Sequence, residues 1–345
     1  MNKHILVTGG AGFIGSCFVE YALSQGHQVL VLDKLTYAGN LVNLIHVNDH
    51  PGYRFFRGDI CDGALVLRLL NEYNIDAIVH MAAESHVDNS ISSPSAFIET
   101  NMIGTYTMLE SARQYWLSLD NKRRDQLRMV YVSTDEVFGS LGESGIFTES
   151  SPIQPNSPYS ASKAGGDLLA RAWFHTYGMP VITTHCSNNY GLRQHPEKLI
   201  PKMISRALSK QALTVYGDGK NIRDWIHVED HCQGIYLALM RGVAGETYGF
   251  GGNCERQNNQ VVSAICAMLD RIKPNEDGSS YAALIHHVDD RLGHDRRYAL
   301  ASSKAERDLG YQNRYASLEA GLEQTVRWYL DNQEWCRTIL QSSGE

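Results

Sequence analysis

Short apolar runs alternate with longer segments of helical periodicity in the first half of the chain. The apolar runs predict strands at residues 5–7, 28–32, 54–56, 77–80, 129–133 and 181–184. The clearest helical patterns between them span residues 12–24, 63–73, 95–116 and 158–177. Because the runs contain few polar positions, both faces of each strand are expected to be covered by helices, as in a parallel sheet. The repeated strand–helix units therefore predict a doubly wound α/β fold.

Composition narrows the class of protein without changing this picture. The chain has 345 residues, of which 43% are hydrophobic and 20% charged, and its net charge is −7. This balance gives no basis for a nucleic-acid partner or a membrane-surface partner. No apolar run approaches the roughly 20 residues of a membrane helix. The seven cysteines are odd in number and lack a CxxC pair, which favours reduced thiols in the cytoplasm over disulfides or zinc ligands.

The first predicted strand runs into a glycine motif, TGGAGFIG, at residues 8–15. Gly9, Gly12 and Gly15 are spaced three apart between a strand and a helix, where a tight turn brings backbone amides to a pyrophosphate. Asp33 ends the second strand, and a carboxylate there binds ribose hydroxyls and repels a 2′-phosphate. The motif therefore predicts a Rossmann site for NAD rather than NADP. Asp59 is expected either to flank the adenine or to cap the following helix.

The strand–helix alternation weakens after residue 186. Helices are predicted near residues 198–209, 228–240, 259–270, 302–309 and 317–331, with short strands near 213–216 and 246–249. These elements predict a smaller mixed α/β substrate-binding lobe that is interleaved with the sheet. The NAD-binding Rossmann domain is placed at 1–187 with a return near 225–250. The lobe is placed at 188–224 and 251–330, and residues 331–345 are set apart as a C-terminal tail.

Reactive side chains cluster at two places, the helix motif SPYSASKAGGD at 157–167 and the strand end STDE at 133–136. Tyr159 and Lys163 are four residues apart on one helix face, and an ammonium beside a phenol favours the phenolate. Such a pair is common on exposed helices, but beside a nicotinamide it suits alcohol oxidation. Asp135 and Glu136 follow a buried strand, where one acid could donate a proton while the other accepts one. Capping of a turn is the alternative role for an isolated Asp–Glu pair.

Together, TGGAGFIG and YSASK resemble the extended short-chain dehydrogenase/reductase family. Longer motifs resemble the dTDP-glucose 4,6-dehydratase branch of that family: DKLTYAGN (33–40), AAESHVDNSI (82–91), STDEVFG (133–139), SNNYG (187–191), PEKLIP (196–201), VYGDGKNIRDWIHVEDH (215–231) and GHDRRYA (293–299). The resemblance extends to about residue 330. It implies oxidation of the sugar at C4 by NAD, loss of water across C5 and C6, and return of the hydride to C6.

The resemblance also implies roles for individual residues. The catalytic set is Thr134, Asp135, Glu136, Tyr159 and Lys163, with Glu136 as base, Asp135 as acid and Ser133 as a possible second contact to the 4-hydroxyl. The implied cofactor contacts are Gly9, Gly12, Phe13, Ile14, Gly15, Asp33, Lys34, Thr36, Asp59, Ile60, Ala82, Ala83, Thr100, Tyr159, Lys163 and Asn189. The implied substrate contacts are Ser85, Thr134, Asn188, Lys198, Leu199, Thr214, Tyr216, Arg223, Asn258, Arg291 and His294. No metal is expected, although His286, His287 and His294 are of a residue type that commonly binds metal ions.

Several alternatives remain open at this level. One alternative is the same chemistry on UDP- or CDP-glucose, and another is a nucleotide-sugar 4-epimerase. The paired acids favour dehydration, because in epimerases the two positions are typically not both carboxylates. An NAD-binding regulatory protein would need none of the catalytic residues. The resemblance further implies a homodimer formed through the helices predicted at 95–116 and 158–177, and His86 is open between a ligand contact and a packed imidazole.

Overall fold

A seven-stranded parallel sheet forms the centre of the protein. The structure, a computed structural model, describes residues 2–290, 293–315 and 317–342. The strands of the described residues are β1 (His4–Thr8), β2 (Gln28–Asp33), β3 (Tyr53–Arg57), β4 (Ala77–His80), β5 (Arg128–Val132), β6 (Val181–Cys186), β7 (Asn188–Tyr190), β8 (Leu213–Tyr216), β9 (Ile222–His227), β10 (Thr247–Phe250), β11 (Glu255–Gln257) and β12 (Ile285–Val288). The sheet has the order β3-β2-β1-β4-β5-β6-β10, so the strand sequence reverses direction between β1 and β4.

Helices cover both faces of this sheet and build most of the lobe. They are α1 (Phe13–Ser24), α2 (Gly63–Glu72), α3 (Val87–Ser92), α4 (Ser95–Phe97), α5 (Thr105–Ser118), α6 (Asn121–Gln126), α7 (Pro158–Tyr177), α8 (Leu199–Leu208), α9 (Val228–Arg241), α10 (Asn258–Ile272), α11 (Ser303–Leu309), α12 (Leu318–Asp331) and α13 (Gln333–Ser342). A π-helical segment, Ile98–Gly104, joins α4 to α5. Short 3-10 helices span Leu41–Val47, Asp135–Phe138 and Tyr281–Leu284.

Three of the four apolar cores among the described residues follow from this layering. Apolar side chains of α1, α9 and α11 pack on one face of the sheet, and those of α2, α5 and α7 pack on the other. Ile5, Leu6 and Val7 of β1 have no exposed surface, as expected for a strand covered on both sides. The third core lies in the lobe, where α8, α10 and α12 pack together beside the small sheets β11-β9-β7 and β12-β8. The predicted doubly wound α/β fold with a smaller mixed lobe is confirmed.

The predicted elements of the large sheet end within two residues of the observed ones. The predicted helix 95–116 is divided into α4, the π-helical segment and α5. Four strands of the small sheets were not predicted: β7, β11 and β12 have only three or four residues, and β9 mixes charged with apolar residues. The segment set apart as a tail, 331–345, contains α13. Among the described residues, no helix combines the length and apolar character that a membrane span requires.

Candidate active site

Two adjoining cavities open at the carboxyl edge of the large sheet. The first cavity is bounded by the glycine turn after β1, the ends of β2, β4 and β5, and the start of α7. The second cavity lies between the loop before α3, helix α8 and strand β9. Their volumes are about 330 and 660 Å³, within the range of roughly 300–1,000 Å³ that is usual for ligand sites. Both border Ser85, Glu136, Asn188 and Lys198, so a ligand in one cavity can meet a ligand in the other.

The glycine turn of the first cavity leaves no room for side chains. Gly9 has a positive φ of 71°, and a Cβ atom there would lie 2.8 Å from the backbone of Ala82. A Cβ atom on Gly15 would lie 2.1 Å from the carbonyl oxygen of Gly9. Helix α1 begins immediately after Gly12, which offers no side-chain cap to the first amides. This close-fitting turn at a helix N-terminus suits the diphosphate of a dinucleotide.

Asp33 is held at the rim of the turn by two backbone amides. Its Oδ2 accepts a hydrogen bond from Ala11 N at 2.9 Å, and its Oδ1 accepts one from Leu35 N at 2.8 Å. Burial raises the pKa of this carboxyl, while the two amides oppose the rise. Each carboxylate oxygen can accept more than one hydrogen bond. The residues of the first cavity therefore fit NAD, with Asp33 available to ribose hydroxyls.

Asp59 lines the first cavity close to the end of β3. It forms an ion pair with Lys34 at 2.6 Å and accepts a hydrogen bond from Cys61 N at 2.9 Å. The N-cap of α2 is Asp62, whose Oδ1 accepts the amide of Leu65 at 3.0 Å. The alternative interpretation of Asp59 as the helix cap is therefore wrong.

The two acids after β5 differ sharply in their surroundings. Thr134 begins a 3-10 turn and accepts the amide of Glu136 at 3.3 Å, and both acids line the first cavity. Asp135 is 1% exposed, and its Oδ2 has no hydrogen-bond partner among the described residues. Burial, reinforced by the charge of Glu136, raises the pKa of Asp135 well above its ordinary value, against the opposing charge of Arg223. Asp135 is thus set up as a neutral acid beside a second, half-buried carboxylate.

Helix α7 brings Tyr159 and Lys163 to the same cavity. Its start is fixed by Ser157, whose hydroxyl accepts the amide of Ser160 in a capping box, and by Pro158 in the first turn. The ammonium of Lys163 donates to Val132 O at 2.8 Å, and burial lowers its pKa to about 8. Burial and the charge of Glu136 raise the pKa of Tyr159. Burial and neighbouring acidic groups therefore dominate the pKa of Tyr159, whereas the sequence predicted that a neighbouring ammonium would favour the phenolate.

Basic side chains concentrate in the second cavity. Arg223 is buried, stacks over Tyr298 at 4.4 Å and donates to Asp295 O at 2.9 Å. Lys198 donates to Ser85 O at 3.1 Å at the border of the two cavities. Lys202 and Arg206 also line this cavity and were missed from the sequence. Their spacing of four and eight residues from Lys198 places them along one side of α8 and was the available signal.

Every residue predicted to contact the cofactor lines the first cavity, as does the whole predicted catalytic set. Among the predicted substrate contacts, Thr134 lines the first cavity, and Ser85, Asn188 and Lys198 line both. The second cavity alone is lined by Leu199, Thr214, Tyr216, Arg223, Asn258 and His294. Arg291 lies outside the described residues.

Further lining residues were not among the predicted contacts. In the first cavity they include Tyr37, Asn43, Gln194, His195, Trp335 and Ile339. Leu340 lines the second cavity. His86, left open by the sequence, caps α3 by accepting the amide of Asn89 at 3.2 Å, and its Nε2 lies 3.2 Å from a carboxyl oxygen of Glu197. His86 also lines the second cavity, so its polar partners fix the imidazole within reach of a ligand, and both predicted roles stay open.

Known proteins with the same architecture place this site in a family. Residues 6–325 match the family described as GDP-mannose 4,6 dehydratase. A dTDP-glucose 4,6-dehydratase of Xanthomonas campestris pv. campestris is 56% identical over 98% of this chain and 96% of its own length. The crystal structure of a dTDP-glucose 4,6-dehydratase from Streptomyces venezuelae with NAD bound has a TM-score of 0.88 and 48% identity, covering 97% of this chain and 99% of that one. A Bacillus anthracis dTDP-glucose 4,6-dehydratase in complex with NAD has a TM-score of 0.86 and 45% identity, covering 98% and 99%. This chain belongs to the GDP-mannose 4,6 dehydratase family, within its group of dTDP-glucose 4,6-dehydratases.

Proposed function

We propose that this protein is an NAD-dependent dehydratase that converts dTDP-glucose to dTDP-4-dehydro-6-deoxyglucose. The observation that carries the proposal is the pair formed by Asp135 and Glu136 beside Tyr159. One carboxyl is buried with a raised pKa, the next is half-buried, and the phenol lines the same cavity. Elimination of water needs a proton donor and a proton acceptor on one substrate at one time, and this arrangement supplies both.

The five catalytic side chains are assigned separate proton-handling roles. Thr134 positions the sugar 4-hydroxyl, and Tyr159 accepts its proton while Lys163 stabilises the phenolate. Glu136 removes the proton at C5, which the new 4-ketone acidifies. Asp135 gives its proton to the departing 6-hydroxyl, which leaves as water. Glu136 then returns its proton to C5, and the proton taken from the 4-hydroxyl replaces the one lost from Asp135 through exchange with solvent.

The cofactor site is assigned to the first cavity, held by the glycine turn, Asp33, Lys34 and Asn189. When bound, NAD⁺ supplies a hydride acceptor for C4, the hydride for C6, and a positively charged ring. That positive charge would favour the phenolate of Tyr159, whose pKa is raised in the protein by burial and by the charge of Glu136. The site residues named in the sequence analysis keep their predicted roles in this proposal.

The second cavity is assigned to the nucleotide diphosphate. Arg223, Lys198, Lys202 and Arg206 bring positive charge from β9 and α8, and guanidinium groups suit phosphate oxygens. Accordingly, residues 1–187 with the return near 225–250 form the NAD-binding part, and 188–224 with 251–330 form the substrate-binding part. The segment 331–345 follows them.

A dimer is proposed on the exposed apolar side chains of the helices that the sequence singled out. Ile98, Ile103, Tyr106 and Leu168 on the π-helical segment, α5 and α7 are each more than two-fifths exposed. Two such faces together would form a four-helix interface. A cytoplasmic location is proposed on the seven unpaired thiols.

The deciding experiment is incubation with dTDP-glucose and analysis of the product by NMR. We expect a 4-keto-6-deoxy sugar without net formation of NADH. Recovery of only the C4 epimer would replace the dehydratase assignment by an epimerase. Parallel reactions with UDP- and CDP-glucose test the nucleotide, and the absence of turnover on all three would favour a regulatory NAD-binding protein.

A further inference from the structure

Helix α13 lies at the junction of the two cavities although no motif marks it. Trp335 and Ile339 line the first cavity, and Leu340 lines the second. Trp335, Cys336, Ile339 and Leu340 recur at helical spacing on one face, and Cys336 and Ile339 of this face are buried. The opposite face is exposed and carries an ion pair between Glu334 and Arg337. The helix therefore presents an apolar side to the ligand site and a charged side to solvent.

A chain of hydrogen bonds connects α13 to the glycine turn. The indole Nε1 of Trp335 donates to Asn43 Oδ1 at 3.0 Å, and Asn43 Nδ2 donates to Ala11 O at 2.8 Å. Ala11 N in turn donates to Asp33 Oδ2 at 2.9 Å. Asn43 is 2% exposed, so this connection is shielded from water. The last helix of the chain thus shares a hydrogen-bonded network with the two features that fit the dinucleotide best.

A second set of contacts connects Trp335 of α13 to the wall that the two cavities share. Trp335 packs against Trp328 and Tyr329 of α12, with ring centroids 5.0 and 6.1 Å apart. The Tyr329 hydroxyl donates to Gln194 O at 2.5 Å, and the Gln194 side chain donates to Asn189 O at 2.8 Å. Gln194 and Asn189 line both cavities. Trp335 is therefore held from two sides, by the glycine turn through Asn43 and by the shared wall through Tyr329.

We propose that α13 is a retaining wall of the cofactor site, in which Trp335 and Ile339 oppose the escape of NAD between the two hydride transfers. This inference rests on the proposed function, since a dehydratase must return the hydride to the sugar from which it was taken. A cofactor that left in its reduced form would stop that enzyme molecule. Because α13 is not part of the large sheet, it can open for NAD exchange without disturbing the sheet, and its contacts act mainly on the dissociation rate.

The test measures exchange of bound NAD for radiolabelled NAD in the purified protein, without any sugar. Trp335→Ala removes the indole ring and its hydrogen bond, and we expect exchange to be at least about tenfold faster. Trp335→Phe removes the hydrogen bond to Asn43 and keeps an aromatic ring, and we expect a smaller acceleration of about threefold. It also keeps the test informative if the alanine variant fails to fold.

Matched controls separate this role from a general effect of losing a tryptophan. Trp116→Phe also loses one indole hydrogen bond, to Arg124 O at 3.1 Å, but lies outside both cavities. Arg337→Ala changes the exposed face of α13. We expect wild-type exchange rates for both controls. Wild-type exchange in the two Trp335 variants, or equal acceleration in Trp116→Phe, would overturn the proposal.

The same measurement keeps the two proposals distinguishable. A wild-type protein that exchanges NAD slowly but leaves dTDP-glucose unchanged would refute only the dehydratase function. A wild-type protein that dehydrates dTDP-glucose while Trp335→Ala exchanges NAD at the normal rate would refute only the retaining role of α13. A wild-type protein that binds no NAD would refute both.

Discussion

The two cavities open at the same edge of the large sheet, but different features of the chain define them. The first cavity is shaped by backbone: Gly9 and Gly15 leave no space for a Cβ atom, and Asp33 is held by amides. The second cavity is shaped by charge, with Arg223 and the basic side chains of α8 projecting from the lobe. Shape suits a cofactor that stays in one pose, whereas charge suits a diphosphate that arrives and leaves with each turnover.

The acid pair stands where these two regions meet. Glu136 lines both cavities, while Asp135 lines the first and experiences the charge of Arg223 from the second. The contrast therefore predicts three kinds of defect. Changes at the border should abolish chemistry, changes in the turn should remove the cofactor, and changes in the lobe should weaken binding of the nucleotide sugar.

The largest effect is expected for Glu136→Gln at the border. The amide cannot take the C5 proton, so dehydration should fall by about a thousandfold, within the roughly 10²–10⁴ typical of a positioned base. Oxidation at C4 should persist in part, because Tyr159 is unchanged. NMR of the product and absorbance of reduced nicotinamide report the two steps separately. Glu143→Gln, an exposed carboxylate, is the control, and unimpaired dehydration in Glu136→Gln would remove its assignment as the base.

A smaller but still large effect is expected for Gly15→Ala in the first cavity. The new Cβ atom would lie 2.1 Å from Gly9 O, so the turn must shift. Overpacking of about 1–3 kcal/mol, if it opposes NAD binding, corresponds to a loss of NAD affinity of roughly 5- to 140-fold. Calorimetric titration with NAD measures it. Gly142→Ala is the control, since a Cβ atom there meets nothing within 4 Å. Equal NAD affinity in the two variants would show that backbone shape does not govern this cavity.

Arg223→Lys should give a milder defect that is confined to the second cavity. Lysine keeps the charge but loses the planar fork and its stacking on Tyr298. We expect KM for the nucleotide sugar to rise about tenfold, as for the loss of one charged hydrogen bond, with NAD content unchanged. Steady-state kinetics and the NAD content of the purified variant report the two quantities. Loss of NAD from this variant would contradict the division of labour between the cavities.

The same contrast explains how far the sequence could predict the site. Local motifs encode the first cavity, because Gly9 to Gly15 and the Tyr159–Lys163 pair lie close in sequence and their spacing specifies their geometry. The second cavity gathers residues from distant segments. The spacing of Lys202 and Arg206 from Lys198 places them on one side of α8, but only the structure shows that this side faces the same cavity as Arg223. The family resemblance predicted Arg223 and Asn258 as substrate contacts but did not explain why they lie in this cavity. Trp335 gave no local signal at all, since its role depends on Asn43, 292 residues away.

The smallest expected effect is a change in how the free energy of unfolding depends on pH, and it concerns Asp135 at the border of the two cavities. Asp135 is neutral in the folded protein up to its raised pKa but ionised in the unfolded chain above the ordinary value of 3.8. Unfolding therefore releases a proton in this interval, and the wild-type free energy of unfolding falls as pH rises through it. Asp135→Asn has no such slope, so its stability relative to wild type should increase as the pH rises from about 4 towards the raised pKa of Asp135.

Urea denaturation at several pH values measures this difference, with activity lost in the variant because a side-chain amide cannot donate the proton. Exposed Asp49→Asn is the control and should run parallel to wild type at every pH. A constant difference between Asp135→Asn and wild type over this range would mean that Asp135 ionises normally in the fold. The acid would then carry a charge at neutral pH, and the assignment of Asp135 as the group that protonates the departing hydroxyl would fail, although Glu136 could still act as the base.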